Sequence, residues 1–205
     1  MSKYNIGGSQ GRYQPSSNDS VLENKLGITD PADRDEVELV LLEKLYEDVL
    51  LNHLPDGMIT VAQIKQWHHR WLGNLYAWAG DERSVNMSKG EFQFAASAQI
   101  PQLLSKFEQE YLGHYSPCTS FSSEQLAEAI AVVHVEFVLI HPFQDGNGRI
   151  SRLLADVMAL QAGFPPLDYS CWDENKSAYF AAIGQGVEMN YEPMQQWVDQ
   201  ALVES

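Results

Sequence analysis

The sequence predicts a mainly α fold: seven or eight helices around a central helix pair, with one β-hairpin. Three observations carry this. Apolar residues recur at helical spacing over most of the chain, hydroxyl, Asp or Pro start signals precede several of those stretches, and strand-type alternation is convincing only once.

Residues 1–20 are rich in Gly, Ser, Asn and Gln with few apolar anchors, and read as an irregular arm ahead of a single domain over 21–205. Asp30-Pro31 starts a helix whose apolar face is Val37, Leu41, Leu45 and Val49. Thr60 with Gln63 forms a capping box for a second helix, where Ile64, Trp67, Trp71 and Leu75 share a face until Gly80 stops the run. From Arg83 to Phe94 the pattern changes: Val85, Met87, Phe92 and Phe94 alternate around Lys89-Gly90, as in a short hairpin.

Helix resumes over 101–111, with Leu104 and Phe107 inward. Ser122 and Gln125 repeat the capping box, and the next helix, to about Ile140, is apolar on all sides, which makes it central; Pro142 ends it. A helix from about Gly148 to Ala162 turns Leu153, Leu154, Val157 and Leu160 inward and exits at Gly163. Two more follow, near Asp173–Gly184 and Glu192–Val203.

With 28 acidic against 13 basic residues the formal charge is −15, a field that repels nucleic acid and anionic lipid. No nucleic-acid or membrane partner is expected. The amino terminus lacks an apolar signal core, and Ile130–Ile140 is too short to span a bilayer. Cys118 and Cys171 show no metal or disulfide spacing, so a cytoplasmic location is expected, with export by a dedicated secretion system left open.

The chemistry is concentrated in His141–Arg152 (HPFQDGNGRISR). Gly146-Asn147-Gly148 precedes a helix start, where backbone N–H groups lack intrahelical partners and the dipole end is positive, so the segment is an anion cradle; Asn147 tolerates the left-handed dihedrals of such a nest. Arg149 and Arg152, three apart on the first turn, share a face and present planar forks suited to a pyrophosphate. A carboxylate at Asp145 beside a phosphate site implies a cation, and Mg²⁺, which binds one or two carboxylates plus substrate phosphates, suits it. His141 faces the same pocket as a base able to take a hydroxyl proton near neutrality. Singly, each has a plainer reading as helix cap, turn, loop or solvated surface; together they converge on one helix entry.

This string resembles the signature HxFx(D/E)GNGRxxR of the Fic (filamentation induced by cAMP) family and matches it at every fixed position. Tyr76–Gly80 (YAWAG) and the hairpin after it resemble the family's lead-in and its flap. The resemblance implies a protein adenylyltransferase that moves AMP from Mg–ATP to a Tyr, Thr or Ser hydroxyl of a target protein. It also implies His141 as general base, Asp145 as Mg²⁺ ligand, Gly146, Asn147 and Gly148 as phosphate cradle, Arg149 and Arg152 on the β and γ phosphates, and Phe143 as core anchor. Lys89 and Gly90 occupy the flap turn, and Tyr179 with Phe180 falls at the adenine pocket. Val187 departs from an Asn that some relatives carry there.

Val21–Ile28 resembles relatives without a built-in inhibitory helix, although Asp19–Asn24 (DSVLEN) carries Glu23 and Asn24 of the inhibitory motif. A separate antitoxin-like inhibitor, and a place in a toxin–antitoxin pair, follow as expectations. The rivals are Doc-type phosphate transfer, UMP transfer through the same loop, and, from another class, an inactive module that captures peptides on the flap edge. His134 reads as a satisfied core histidine, and His68–Trp71 (HHRW) as packing and surface, since no third metal ligand accompanies it.

Overall fold

A computed structural model of the protein describes residues 5–6, 12–90 and 92–202. Among them are eight helices: α1 Pro31–Tyr46, α2 Val61–Leu72, α3 Ile100–Lys106, α4 Ser123–Ile140, α5 Asn147–Gln161, α6 Ser170–Glu174, α7 Lys176–Gln185 and α8 Glu192–Ala201. The first is prolonged by a wide π turn over Glu47–Asn52, and α3 by another over Phe107–Leu112 that runs into a last turn at Gly113–Tyr115.

Start signals act as expected. Asp30 Oδ1 accepts from the Ala32 and Asp33 N–H groups at 2.7 and 3.4 Å, and both capping boxes, Thr60 with Gln63 and Ser122 with Gln125, are closed. Leu45 and Val49 of the first apolar face are buried, while Val37 and Leu41 are half-buried. The second helix is shorter than its apolar run: it ends at Leu72 with Gly73 as cap, and Leu75 reaches the core from the following loop. The chain folds back there because His69 Nδ1 meets the Ala79 carbonyl at 2.8 Å and Gly80 turns with φ +89°.

Helix α4 is the axis. Leu126, Ile130, Val133, Val135 and Phe137, distributed around it, are all buried, and α5 and α8 pack along it. Its stop is more specific than the proline expected to end it: His141 is the cap, in left-handed conformation, and Pro142 follows. Leu153, Leu154 and Val157 of α5 are buried, Leu160 is half-buried, and Gly163 exits at φ +84°. The expected last helix ends at Ala201; Val203 lies outside the described residues.

Strands β2 (Met87–Lys89) and β3 (Phe92–Gln93) form the hairpin, with Gly90 at φ +60°; Glu91 lies outside the described residues. A third strand, β1 (Asn5–Ile6), pairs antiparallel with β2, Asn5 opposite Ser88 and Ile6 opposite Met87. Two residues carry no alternation, so this pairing leaves no mark in the sequence. The rest of the described arm is held by the Tyr13–Leu22 bridge and by Val21, which is fully buried.

Candidate active site

Residues 141–146 connect α4 to α5, and His141, Gln144, Asp145 and Gly146 among them line a cavity of about 950 Å³. Three positions set the loop. His141 takes φ 51°, a conformation costly for a residue with a Cβ, and Gly146 takes φ 84°. A Cβ at Gly146 would lie 2.7 Å from the Trp71 ring, so only glycine fits. Asn147 is helical and wholly buried, not left-handed as the sequence suggested: its Oδ1 accepts from the Phe143 N–H and its Nδ2 donates to the Phe143 carbonyl, both at 2.8 Å. Its side chain therefore braces the loop and does not line the cavity, and any part in the cradle is left to its backbone N–H. Phe143 is buried as anticipated, stacked at 3.8 Å on His68.

His141 is 4% exposed and lines the cavity. Its Nδ1 lies 3.2 Å from the Val138 carbonyl, which can only accept, so Nδ1 carries the proton and Nε2 the lone pair. Phe94 of the flap stacks on the imidazole with centroids 3.7 Å apart. Asp145 lines the cavity; its Oδ1 accepts from the Gly146 N–H at 2.6 Å and faces Arg149 Nη2 at 3.4 Å. No group of three His, Cys, Asp or Glu side chains arranged for a metal occurs among the described residues. A single hard carboxylate beside an anion cradle fits Mg²⁺ completed by phosphates and water, and does not fit zinc.

Gly148, Arg149 and Arg152 line the cavity beside the first turn of α5. Arg149 Nη1 pairs with Glu38 Oε2 at 2.5 Å, and its guanidinium lies over the Trp71 ring at 4.4 Å. Arg152 forks onto Asp173 at 3.2 and 2.7 Å and lies over the Tyr169 ring. The pair holds the Asp173 carboxyl below its ordinary range. Both arginines thus reach the cavity wall, each held by a carboxylate on another helix.

The other end is aromatic. Lys89 Nζ sits 3.6 Å over the Phe180 ring, joining the flap to α7. Phe180 is 42% exposed and offers a face; Tyr179 is buried, its hydroxyl 2.7 Å from His134 Nε2 and its ring stacked on Trp172. Tyr179 also lines the cavity, alongside Ser177, Ile183 and Gly184. Val187 is exposed and lines no part of it. Tyr13, Asp19 and Ser20 of the arm, and Leu22 just after it, also line the cavity. Asp19–Asn24 is not helical, and Glu23 is exposed and away from the cavity.

Three supporting residues escaped the sequence reading. Arg83, 2% exposed, donates Nε to the His141 carbonyl at 2.6 Å, Nη1 to Val85 at 2.5 Å and Nη2 to Ala95 at 2.6 Å, tying flap to loop. Burial lowers its pKa to about 10. His68, read as packing, has specific work: the Gly80 N–H donates to Nδ1 at 2.8 Å, so Nε2 carries the proton and donates to the Asp145 carbonyl at 3.0 Å. Burial pushes its pKa down to about 4, so the ring is neutral. Glu38 is the third. An alternating role for a histidine between a Gly turn and the loop is not written in any local pattern, and Glu38 stands among other acids of α1.

A profile of the Fic/DOC family matches residues 58–159. "Probable protein adenylyltransferase y4lH" of Sinorhizobium fredii is 27% identical over 144 residues, 70% of this chain and 73% of that protein. "Protein adenylyltransferase Fic" of Culex quinquefasciatus is 31% identical over 72% of this chain, which spans 29% of that longer protein. Among solved structures, BepC of Bartonella tribocorum, crystallised with bound AMPPNP, superposes with a TM-score of 0.72 at 22% identity, covering 90% of this chain and 93% of that one. The amino-terminal domain of Bep8 from Bartonella sp. 1-1C gives 0.75 at 22%, covering 88% and 90%.

Proposed function

Because this chain belongs to the Fic/DOC family, we propose that it is a protein adenylyltransferase, transferring AMP from Mg–ATP to a Tyr, Thr or Ser hydroxyl of a target protein and releasing pyrophosphate. The observation that carries this is the placement of His141: an imidazole with its lone pair on Nε2 lines the same cavity as the α5 amino terminus, Arg149 and Arg152.

The chemistry follows from those positions. The acceptor hydroxyl gives its proton to His141 Nε2 as its oxygen bonds to the α phosphorus; the bond from that phosphorus to the bridging oxygen breaks, and pyrophosphate leaves with the electron pair. Charge gathering on the leaving group is met by the Arg152 and Arg149 forks and the first-turn N–H groups of α5. Asp145 would hold Mg²⁺, which neutralises phosphate charge when bound. Phe180 supplies a stacking face for the base, with Lys89 and Gly90 above it.

The target joins the flap as an added strand, and since β1 pairs with β2, the outer edge of β3 is where it docks. A separate inhibitor would have to displace Asp173 from Arg152 to reach that fork. No helix among the described residues is long and apolar enough to cross a membrane.

The test is intact-mass analysis of candidate targets incubated with ATP and Mg²⁺. An AMP adduct on a hydroxyl, absent with the His141→Ala variant, is expected; an unmodified target together with a chain that binds no nucleotide would return the protein to the peptide-binding reading.

A further inference from the structure

Arg152 is gripped through one residue that lies outside the 141–152 segment. The Tyr169 ring lies under the guanidinium, whose carbon is 4.7 Å from the ring centroid. The Tyr169 hydroxyl reaches the main chain of the same arginine, 3.0 Å from the Arg152 carbonyl oxygen. At the start of α6 the Tyr169 carbonyl accepts from the Asp173 N–H at 3.0 Å, and Asp173 is the carboxylate on the edge of the Arg152 fork. Face, edge partner and main chain of Arg152 therefore all meet at Tyr169.

Tyr169 is in turn clamped to the helix that carries Arg152. Its hydroxyl lies 2.9 Å from Asp156 Oδ1 on α5 and shares its one proton between that carboxylate and the Arg152 carbonyl. The Leu167 N–H donates to the same Asp156 oxygen at 2.9 Å. A carboxylate that is 1% exposed is costly unless it is hydrogen-bonded, and these bonds fix the 167–169 segment to α5. Trp172, wholly buried, meets the Tyr169 ring edge-on with centroids 4.9 Å apart.

An arginine has a long flexible stem, so how well it meets a phosphate depends on what fixes the plane of its fork. The Asp173 pair engages two of the five guanidinium N–H groups, and a ring stacked under the plane engages none. We propose that Tyr169 is a positioning residue for Arg152: clamped by Asp156, it fixes the guanidinium plane so that the fork is presented to the terminal phosphates of the nucleotide. The claim rests on the adenylyltransferase reading and adds a residue from outside the loop. Tyr169 acts through Arg152 and is not itself a phosphate ligand; a residue with a purely structural role would lower stability without separating triphosphate from monophosphate.

The experiment is calorimetric titration of the full chain, in excess Mg²⁺, with a non-hydrolysable ATP analogue and with AMP, beside a thermal melt. Tyr169→Leu, which removes ring and hydroxyl, is expected to weaken the analogue by about tenfold, within the range of a partly desolvated cation–π contact, and AMP by less than about twofold. In an Arg152→Gln background the same substitution should change analogue affinity no further, because a residue that acts through the arginine has nothing left to act on. Tyr169→Phe keeps the ring and loses the hydroxyl; it should weaken the analogue by about threefold, again only where Arg152 is present, and it carries the test if Tyr169→Leu does not fold. Analogue affinity at the parent value in the folded variant, an equal loss for AMP, a further loss in the Arg152→Gln background, or an Arg152→Gln chain that binds the analogue as tightly as the parent would overturn the proposal. A parent chain that binds no analogue would overturn the functional reading itself.

Discussion

The two ends of the cavity are built on different principles. At the end proposed to hold phosphate, the candidate groups come from twelve consecutive residues, and four positions there are fixed by buried partners: Val138 for His141, Asn147 for Phe143, Glu38 for Arg149, His68 for the Asp145 carbonyl. At the end proposed to hold the base, one half-open ring under a lysine is contributed by two segments some ninety residues apart, Lys89 and Phe180. Phosphate is small, charged and always the same, so a rigid polar nest pays off; an aromatic base needs only a face and tolerates variation.

The largest expected effect breaks the phosphate end. His141→Ala should lower target modification by roughly 10²–10⁴-fold, the range for a lost general base, while analogue affinity measured by calorimetry stays within about threefold. Retained modification would remove the base from the account. Gly146→Ala comes next: with φ +84° and the Trp71 ring 2.7 Å from the new Cβ, it should cost on the order of 1–3 kcal/mol in a denaturant melt and weaken nucleotide binding as well. An unchanged midpoint would show that the loop relaxes.

The base end should respond more softly. Phe180→Ala is expected to raise the analogue dissociation constant by about 3- to 10-fold, from loss of roughly 0.5–1.5 kcal/mol of stacking, and Lys89→Ala by about twofold or less. Tyr179→Phe, which removes only the hydroxyl that meets His134, should leave that constant unchanged. If Tyr179→Phe hurts binding more than Phe180→Ala, the base sits elsewhere.

The smallest effect is on pH. His68 and His134 are pushed by burial from 6.5 to about 4, so the folded chain binds fewer protons than the unfolded one between those values. Their contribution is complete above about 6.5 and is lost as pH falls toward 4. Asp156, raised by burial from 3.8 to about 6, acts in the opposite sense: its contribution is present below 3.8 and is lost as pH rises through 6. The two histidines make stability rise with pH across this window, a slope that Asp156, Glu136 and Asp199, whose carboxyls are all raised chiefly by burial, reduce. His134→Gln should flatten that slope; an unchanged slope in urea melts would show that His134 does not contribute.

The same contrast explains what could be read in the sequence. The mainly α class, both capping boxes, the central helix and the hairpin were legible because caps and periodicity act over a few residues. The loop was legible because its groups are contiguous. Arg83, His68 and Glu38 were not, since their work depends on partners 58, 77 and 111 positions away. The absence of a third metal ligand near His68 bears on coordination and says nothing about loop support. Asn147 was read for a phosphate and is spent on Phe143. The early stop of α2 at Gly73 and the β1 strand at Asn5–Ile6 are tertiary decisions that override or exceed local preference.

The most direct test of nucleotidyl transfer uses ATP labelled at the α or the γ phosphate, incubated with the chain, Mg²⁺ and a target. The proposed reaction, with His141 as base and the α5 amino terminus holding the leaving pyrophosphate, predicts α label on the target protein and γ label in free pyrophosphate. Label from the γ position on the protein, with ADP released, would contradict it and establish phosphate transfer.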